Sequence, residues 1–131
     1  MAIELTLLGY TLVLALIYLM AAAQARTSQY GAGWNAGARD EVMPPLKPVP
    51  ARLVRAQANL METLPLFAAA VLAVVVAGRT GPLSEVGAWM YLLGRVVYLP
   101  LYALGVPVVR TLVWLVASVG LMLVLWQLLC A

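Results

Sequence analysis

The sequence predicts an all-α integral membrane protein, built as a bundle of four transmembrane helices in one domain that spans residues 1–131. The first observation is composition: 65% of the 131 residues are hydrophobic and 10% are charged, whereas soluble domains are about 25% charged. The second is that four apolar stretches each approach the roughly 20 residues that a helix needs to cross a bilayer. The third is length, because 131 residues leave room for four spans and one sizeable connection.

The first helix is predicted over residues 3–25. No charged residue occurs between Leu5 and Ala25, and Glu4 and Arg26 bracket this stretch. A cleaved signal peptide normally has a basic start and a shorter apolar core. We therefore expect this segment to be a retained transmembrane helix.

Residues 27–51 are predicted to be a polar loop outside the hydrocarbon. Glycine, proline and polar residues are frequent here, and four prolines occur between Pro44 and Pro50. Each proline disfavours a helical conformation at the residue before it. A surface linker is the simpler interpretation, and a partial lid over a ligand site is the alternative.

The remaining helices are predicted over residues 52–78, 83–104 and 108–130. Short segments that contain glycine and proline separate them, at 79–82 and at 105–107, as is typical of turns. Basic residues are concentrated in the 27–51 loop, at its flanks and at Arg110. The positive-inside rule then places this loop in the cytoplasm and both termini on the opposite side.

The absence of histidine and the presence of a single cysteine, Cys130, limit the possible chemistry. No metal site built from cysteine and histidine, no histidine base and no internal disulfide is expected. The basic residues form no continuous run, so a nucleic-acid partner is not expected either.

Two of the predicted helices carry narrow polar stripes. At about 100° per residue, one stripe on the second helix contains Arg55, Asn59 and Glu62. Another stripe, on the third helix, contains Arg95 together with Tyr91, Tyr98 and Tyr102; Tyr91 is expected to be structural. Charged groups at this depth face the bundle interior or a wet cavity and find partners.

A purely structural role for the stripes would pair Glu62 with Arg95 or Arg55. One glutamate cannot neutralise all of the arginines on this side, which are Arg52, Arg55, Arg95 and Arg110. Guanidinium groups bind carboxylates in bidentate fashion. The excess of arginine therefore favours a site for an anionic ligand.

The stretch Arg52–Phe67 closely resembles the second-helix motif of the MAPEG family, the membrane-associated proteins in eicosanoid and glutathione metabolism. That motif reads R-x-x-R-A-x-x-N-x-x-E-x-x-P-x-F, and every defining position is filled here. The stretch Gly94–Tyr102, followed by Arg110, is similar to the family's second conserved region. Four spans and a long first loop also match.

The resemblance implies a homotrimer of four-helix subunits that holds glutathione, as a co-substrate, between neighbouring subunits near the cytoplasmic face. It implies a glutathione transferase, or alternatively a peroxidase, acting on a lipophilic electrophile. By position, Arg110 is the catalytic residue that stabilises the glutathione thiolate. The glutathione-binding residues that the resemblance implies are Arg26, Arg52, Arg55, Gln57, Asn59, Glu62, Arg95, Tyr98 and Tyr102.

The chain also departs from leukotriene-C-synthase-like members. They have tyrosine at the position of Thr63, and they close the first helix with two arginines where this chain has only Arg26. These departures favour a bacterial-type member with a less specific substrate, located in the inner membrane of a bacterium.

Two alternatives to an enzyme remain open. One is a non-catalytic MAPEG-type protein that binds a lipid and presents it to a partner. The other is a small four-helix exporter, which is disfavoured because no acidic residue lies between Glu4 and Arg26.

Overall fold

A computed structural model describes all 131 residues and contains helices but no strands. The helices are α1 (Ile3–Tyr30), α2 (Ala32–Ala36), α3 (Pro48–Val76), α4 (Pro82–Ala103) and α5 (Pro107–Leu129). All except α2 are long and apolar enough to cross a membrane. The predicted class, an all-α protein with four transmembrane helices, is confirmed.

The predicted loop 27–51 is too long, because the helix-free segment between α2 and α3 covers only residues 37–47. The first helix continues to Tyr30 and ends at Gly31, which has a φ of +94°. The helix therefore stops where glycine permits a left-handed backbone, beyond the end of the apolar stretch. Residues 32–36 form α2, and α3 begins at Pro48. Proline is accepted in a first turn because the N–H it lacks has no helical partner there.

The two central helices of the bundle are α3 and α4. Helix α1 packs against both of them, and α5 also packs against both, while α1 and α5 do not contact one another. The apolar core lies among the four helices and includes Tyr18, Phe67, Tyr91 and Val124, each fully buried. This arrangement brings together the two helices that carry the polar stripes.

Glycine allows α4 and α5 to cross in backbone contact. A Cβ atom on Gly120 would lie 2.5 Å from the Gly87 carbonyl oxygen, and a Cβ on Gly87 would collide with the Gly120 carbonyl oxygen. Seven residues further along α4, a Cβ on Gly94 would lie 3.0 Å from Ala117 Cβ. Small residues at a helix interface permit such close approach in membranes, where packing drives association.

The ends of α1, α4 and α5 meet on the side of the chain termini. Ser84 donates a hydrogen bond to the buried carboxylate of Glu4 (2.5 Å) and accepts one from the Gly81 N–H (2.9 Å). The carboxylate therefore lies beside the first turn of α4, where the partial positive charge of the helix stabilises an anion. The side chain of Gln127 on α5 packs against Gly81. This cluster joins three helices at the end of the bundle opposite to Arg52, Arg55 and Arg110.

Replacing Gly120 with alanine is expected to destabilise the protein by about 1–3 kcal/mol, because the added methyl group meets backbone that cannot move alone. Thermal unfolding of the detergent-solubilised protein, followed by circular dichroism, measures the change. The matched control is Gly9→Ala in α1, where a Cβ would have no neighbour within 4 Å. The control should be neutral or slightly stabilising; equal melting temperatures for the two variants would contradict the close crossing.

Candidate functional site

Arg95 lies at the centre of the polar contacts between α3 and α4, and its side chain is 0% exposed. Its guanidinium donates to Asn59 Oδ1 (2.7 Å) and to Thr63 Oγ1 (2.8 Å), both on α3. The Arg95 carbonyl oxygen accepts a hydrogen bond from the Tyr18 hydroxyl of α1 (2.5 Å). One residue of α4 thus ties together three helices.

Aromatic rings surround the same guanidinium. Arg95 Cζ lies 5.1 Å from the ring centre of Tyr98 and 5.6 Å from that of Tyr91. Tyr91 stacks on Phe67 with ring centres 4.0 Å apart, and its hydroxyl is 2.9 Å from Thr63 Oγ1. The prediction that Tyr91 is structural is confirmed by this burial.

The purely structural pairing of Glu62 with an arginine is not observed. Arg95 uses Asn59 and Thr63 as acceptors, and Arg55 donates through Nε to the Tyr102 hydroxyl (3.1 Å). Glu62 itself is exposed on the surface of the single chain. The hydrogen-bond partners of Arg95 and Arg55 within the chain are uncharged side chains. No carboxylate of the chain therefore balances the positive charges of these two arginines.

A small cavity of about 150 Å³ opens between α3 and the α4–α5 turn, and we call it the arginine cup. Its lining residues are Arg52, Arg55, Tyr102, Gly105 and Arg110. Arg110 Cζ lies 4.7 Å from the centre of the Tyr102 ring, whose hydroxyl accepts the hydrogen bond from Arg55. Tyr102 therefore contacts two of the three guanidinium groups. Because three guanidinium groups line one cavity, the cup has the donors to bind an anion through charge-assisted hydrogen bonds.

Gly105 provides the space for the third guanidinium. Its φ of +74° lies in the left-handed region, and a Cβ atom there would lie 2.9 Å from Arg52 Cζ. Arg52 also approaches the Ala103 carbonyl oxygen (3.4 Å). The turn between α4 and α5 thus has glycine at this position because of its backbone conformation, while the flexible end of Arg52 occupies the space beside it.

A second cavity of about 200 Å³, which we call the deep cavity, adjoins the cup. Its lining residues are Asn59, Tyr98, Arg110, Thr111 and Trp114. Arg110 lines both cavities, so its guanidinium stands at their boundary. The indole Nε1 of Trp114 is buried and makes no hydrogen bond within the chain.

Sequence comparison assigns the chain to a family. The profile of the MAPEG family matches residues 7–130, nearly the whole chain. The chain belongs to the MAPEG family. No curated relative and no solved structure matches it significantly. Family membership and the four apolar helices together identify an integral membrane protein.

The fold of this MAPEG chain brings together six of the ten predicted site residues around the two cavities, namely Arg52, Arg55, Asn59, Tyr98, Tyr102 and Arg110. Arg95 contacts Asn59 and Tyr98 of this group but lines neither cavity. Gln57, Glu62 and Arg26 also lie outside both linings. Arg26 is half-buried, and its Nε atom has no hydrogen-bond partner within the chain.

The sequence prediction missed Gly105, Thr111 and Trp114. A signal for Trp114 was present, because it follows Arg110 by four residues and such pairs share a helix face. Gly105 was recognised only as a break between helices, since its packing against Arg52 depends on residues far apart in the sequence.

Replacing Thr63 with valine in the MAPEG chain is expected to lower the free energy of unfolding by about 1–3 kcal/mol. The variant leaves one buried guanidinium N–H of Arg95 without an acceptor and also removes the contact with the Tyr91 hydroxyl. Chemical or thermal unfolding in detergent measures the loss. Thr63→Ser keeps the hydroxyl and should stay close to the parent protein; a valine variant as stable as the serine variant would contradict the role of this hydrogen bond.

Proposed function

We propose that this MAPEG protein is a membrane-bound glutathione transferase that joins the glutathione thiolate to a lipophilic electrophile. The observation that carries the proposal is the pair of adjoining cavities that share Arg110. One of them is lined by three guanidinium groups, and the other has hydrogen-bonding side chains and one indole. A peptide with two carboxylates and one thiol has the groups that such a site requires.

The arginine cup suits the carboxylate ends of glutathione. Arg52, Arg55 and Arg110 line it, and arginine binds carboxylates through two parallel charge-assisted hydrogen bonds. The tripeptide would then extend past Arg110 toward the deep cavity. Asn59 and Tyr98 would contact it there, as the family resemblance implies.

Arg110 would act as the catalytic residue by stabilising a thiolate. A free thiol has a pKa of about 8.5, which a neighbouring cation lowers. The thiol proton leaves to water, and the sulfur attacks an electrophilic carbon. A carbon–sulfur bond forms while the bond to a leaving group, such as a halide, breaks. Arginine suits this role because its guanidinium remains charged in proteins.

The surface of the single chain supports a homotrimer. Arg55 and Glu62 are both exposed on α3, seven residues and therefore about 10 Å apart along the helix axis. Exposed charges on a transmembrane helix are costly unless they meet a partner. A neighbouring copy would cover this face, and Glu62, Gln57 and Arg26 would complete the glutathione site at the subunit boundary.

The orientation of the bundle follows from its basic residues. Most of the arginines lie at the end of the bundle that carries α2, and the positive-inside rule places that end in the cytoplasm. We therefore propose that glutathione enters from the cytoplasm, that the electrophile arrives from the lipid, and that the membrane is the inner membrane of a bacterium.

The proposed activity predicts that glutathione stabilises the purified protein and that the protein conjugates it to 1-chloro-2,4-dinitrobenzene. Because a ligand that binds the native state stabilises it by mass action, the melting temperature should rise with glutathione concentration. Release of the thioether is followed by its absorbance. Binding without turnover of this halide or of a lipid hydroperoxide would favour the non-catalytic lipid-binding role, and no binding would exclude both enzymatic activities.

Replacing Arg110 with glutamine should abolish most of the thiolate absorbance of bound glutathione near neutral pH and reduce turnover at least tenfold. The physical reason is the loss of the positive charge closest to the sulfur. Arg79→Gln is the matched control, because Arg79 is exposed at the opposite end of the bundle, where it donates to the carbonyl of Ala131. Native mass spectrometry should give three chains per particle for both variants. An unchanged thiolate signal in Arg110→Gln would refute the catalytic role.

A further inference from the structure

We propose that Arg95 is a positioning residue that fixes the side-chain amide of Asn59 with its NH2 group toward the deep cavity. The cavity therefore selects a hydrogen-bond acceptor, and in particular an anionic group, of the ligand. This inference rests on the proposed function, since it concerns the same site. The ligand atom that Asn59 contacts is then a hydrogen-bond acceptor.

The orientation of the amide follows from the chemistry of arginine. A guanidinium has only N–H donors, so the atom of Asn59 that lies 2.7 Å from Arg95 is the oxygen. That is the only hydrogen bond of the Asn59 side chain within the chain. Asn59 also lines the deep cavity. The group it has left to offer a ligand is the NH2, which can only donate.

Arg95 is held firmly enough to impose this orientation. Its second hydrogen bond goes to Thr63 (2.8 Å), its carbonyl oxygen accepts from Tyr18 (2.5 Å), and its side chain is 0% exposed. Turning the Asn59 amide over would place its NH2 against the guanidinium. A buried charged donor would then lose an acceptor, which is strongly unfavourable.

The charges around the cavity favour an anion at the same place. Arg95 contacts one ring of the pair Tyr98–Tyr102, and Arg110 contacts the other; the ring centres are 5.4 Å apart. The hydrogen bonds of Arg95 include no carboxylate. Thr111 differs from the other polar groups, because its hydroxyl donates to the Pro107 carbonyl oxygen (3.3 Å) and leaves only acceptor capacity. The anion could be the thiolate or a carboxylate of glutathione.

Two replacements of Asn59 separate its contact with Arg95 from its contact with the ligand. Asn59→Asp keeps the oxygen for Arg95 and supplies a counter-charge, but it removes the NH2. We expect its melting temperature without ligand to rise by several degrees, while its affinity for glutathione falls about tenfold or more. Asn59→Leu removes both contacts, so its melting temperature and its affinity should both fall.

Asn35→Asp is the matched control, because Asn35 Oδ1 also accepts a hydrogen bond from an arginine, Arg39 (2.6 Å), at an exposed position. An exposed ion pair contributes little, so neither stability nor affinity should change. A ligand-free Asn59→Asp protein that is less stable than its parent would overturn the proposed contact with Arg95. Affinity for glutathione that is equal to or tighter than that of the parent would overturn the selection of an acceptor.

Binding of S-methylglutathione distinguishes the two sources of the anion. This analogue keeps both carboxylates but cannot form a thiolate. If Asn59→Asp binds it as tightly as the parent does, the contact is with the thiolate; if the tenfold loss persists, the contact is with a carboxylate. Should the parent protein bind neither compound, the proposed function fails. The opposite stability changes of Asn59→Asp and Asn59→Leu would still test the role of Arg95.

Discussion

The structure depends on one constraint, which is that a guanidinium buried between transmembrane helices must have acceptors. Arg95 finds two of them in Asn59 and Thr63 of α3, while its Nε atom has no partner within the chain and its own carbonyl oxygen accepts from Tyr18 of α1. The Arg95 side chain is fully buried, so losing one of these acceptors is costly. The requirement fixes how α1, α3 and α4 lie against each other. It also orients the side chains that line the neighbouring cavities.

The division of polar contacts between the two ends of the bundle is a second consequence of the fold. At the end with the termini, Glu4 and Ser84 form a closed cluster in which the carboxylate has its partner. At the other end, the guanidinium groups of Arg52, Arg55 and Arg110 converge on a cavity without a carboxylate in its lining. Satisfied polar groups stabilise a fold, whereas ionisable groups that converge without a counter-charge in a membrane protein indicate a candidate functional site. This asymmetry is the reason to place function at the arginine end.

Glycine contributes in two different ways. Gly87 and Gly120 let α4 and α5 approach until backbone meets backbone, which creates the rigid pair that presents Tyr98, Arg110 and Trp114. Gly105 instead turns the chain through a positive φ and leaves room for Arg52. The first role is a matter of packing and the second of backbone conformation. Both roles help to set the positions of the residues that line the two cavities.

The sequence by itself determined the class of protein, the four spans and the stripes of Asn59 and Arg95, because hydrophobicity and helical periodicity are local properties. It placed the last two helices within one residue of their ends, since glycine and proline mark those breaks. It made the loop 27–51 too long at both ends, where helix continues outside the apolar stretch and prolines occupy a first turn. Only the tertiary structure decided that Arg95 bonds to Asn59 and not Glu62, and that Gly105 and Trp114 join the site. The contacts of Arg95 and Gly105 link residues far apart in the chain, so no local pattern encodes them. Trp114 shares a helix face with Arg110, but only the packing of the helices shows that this face borders a cavity.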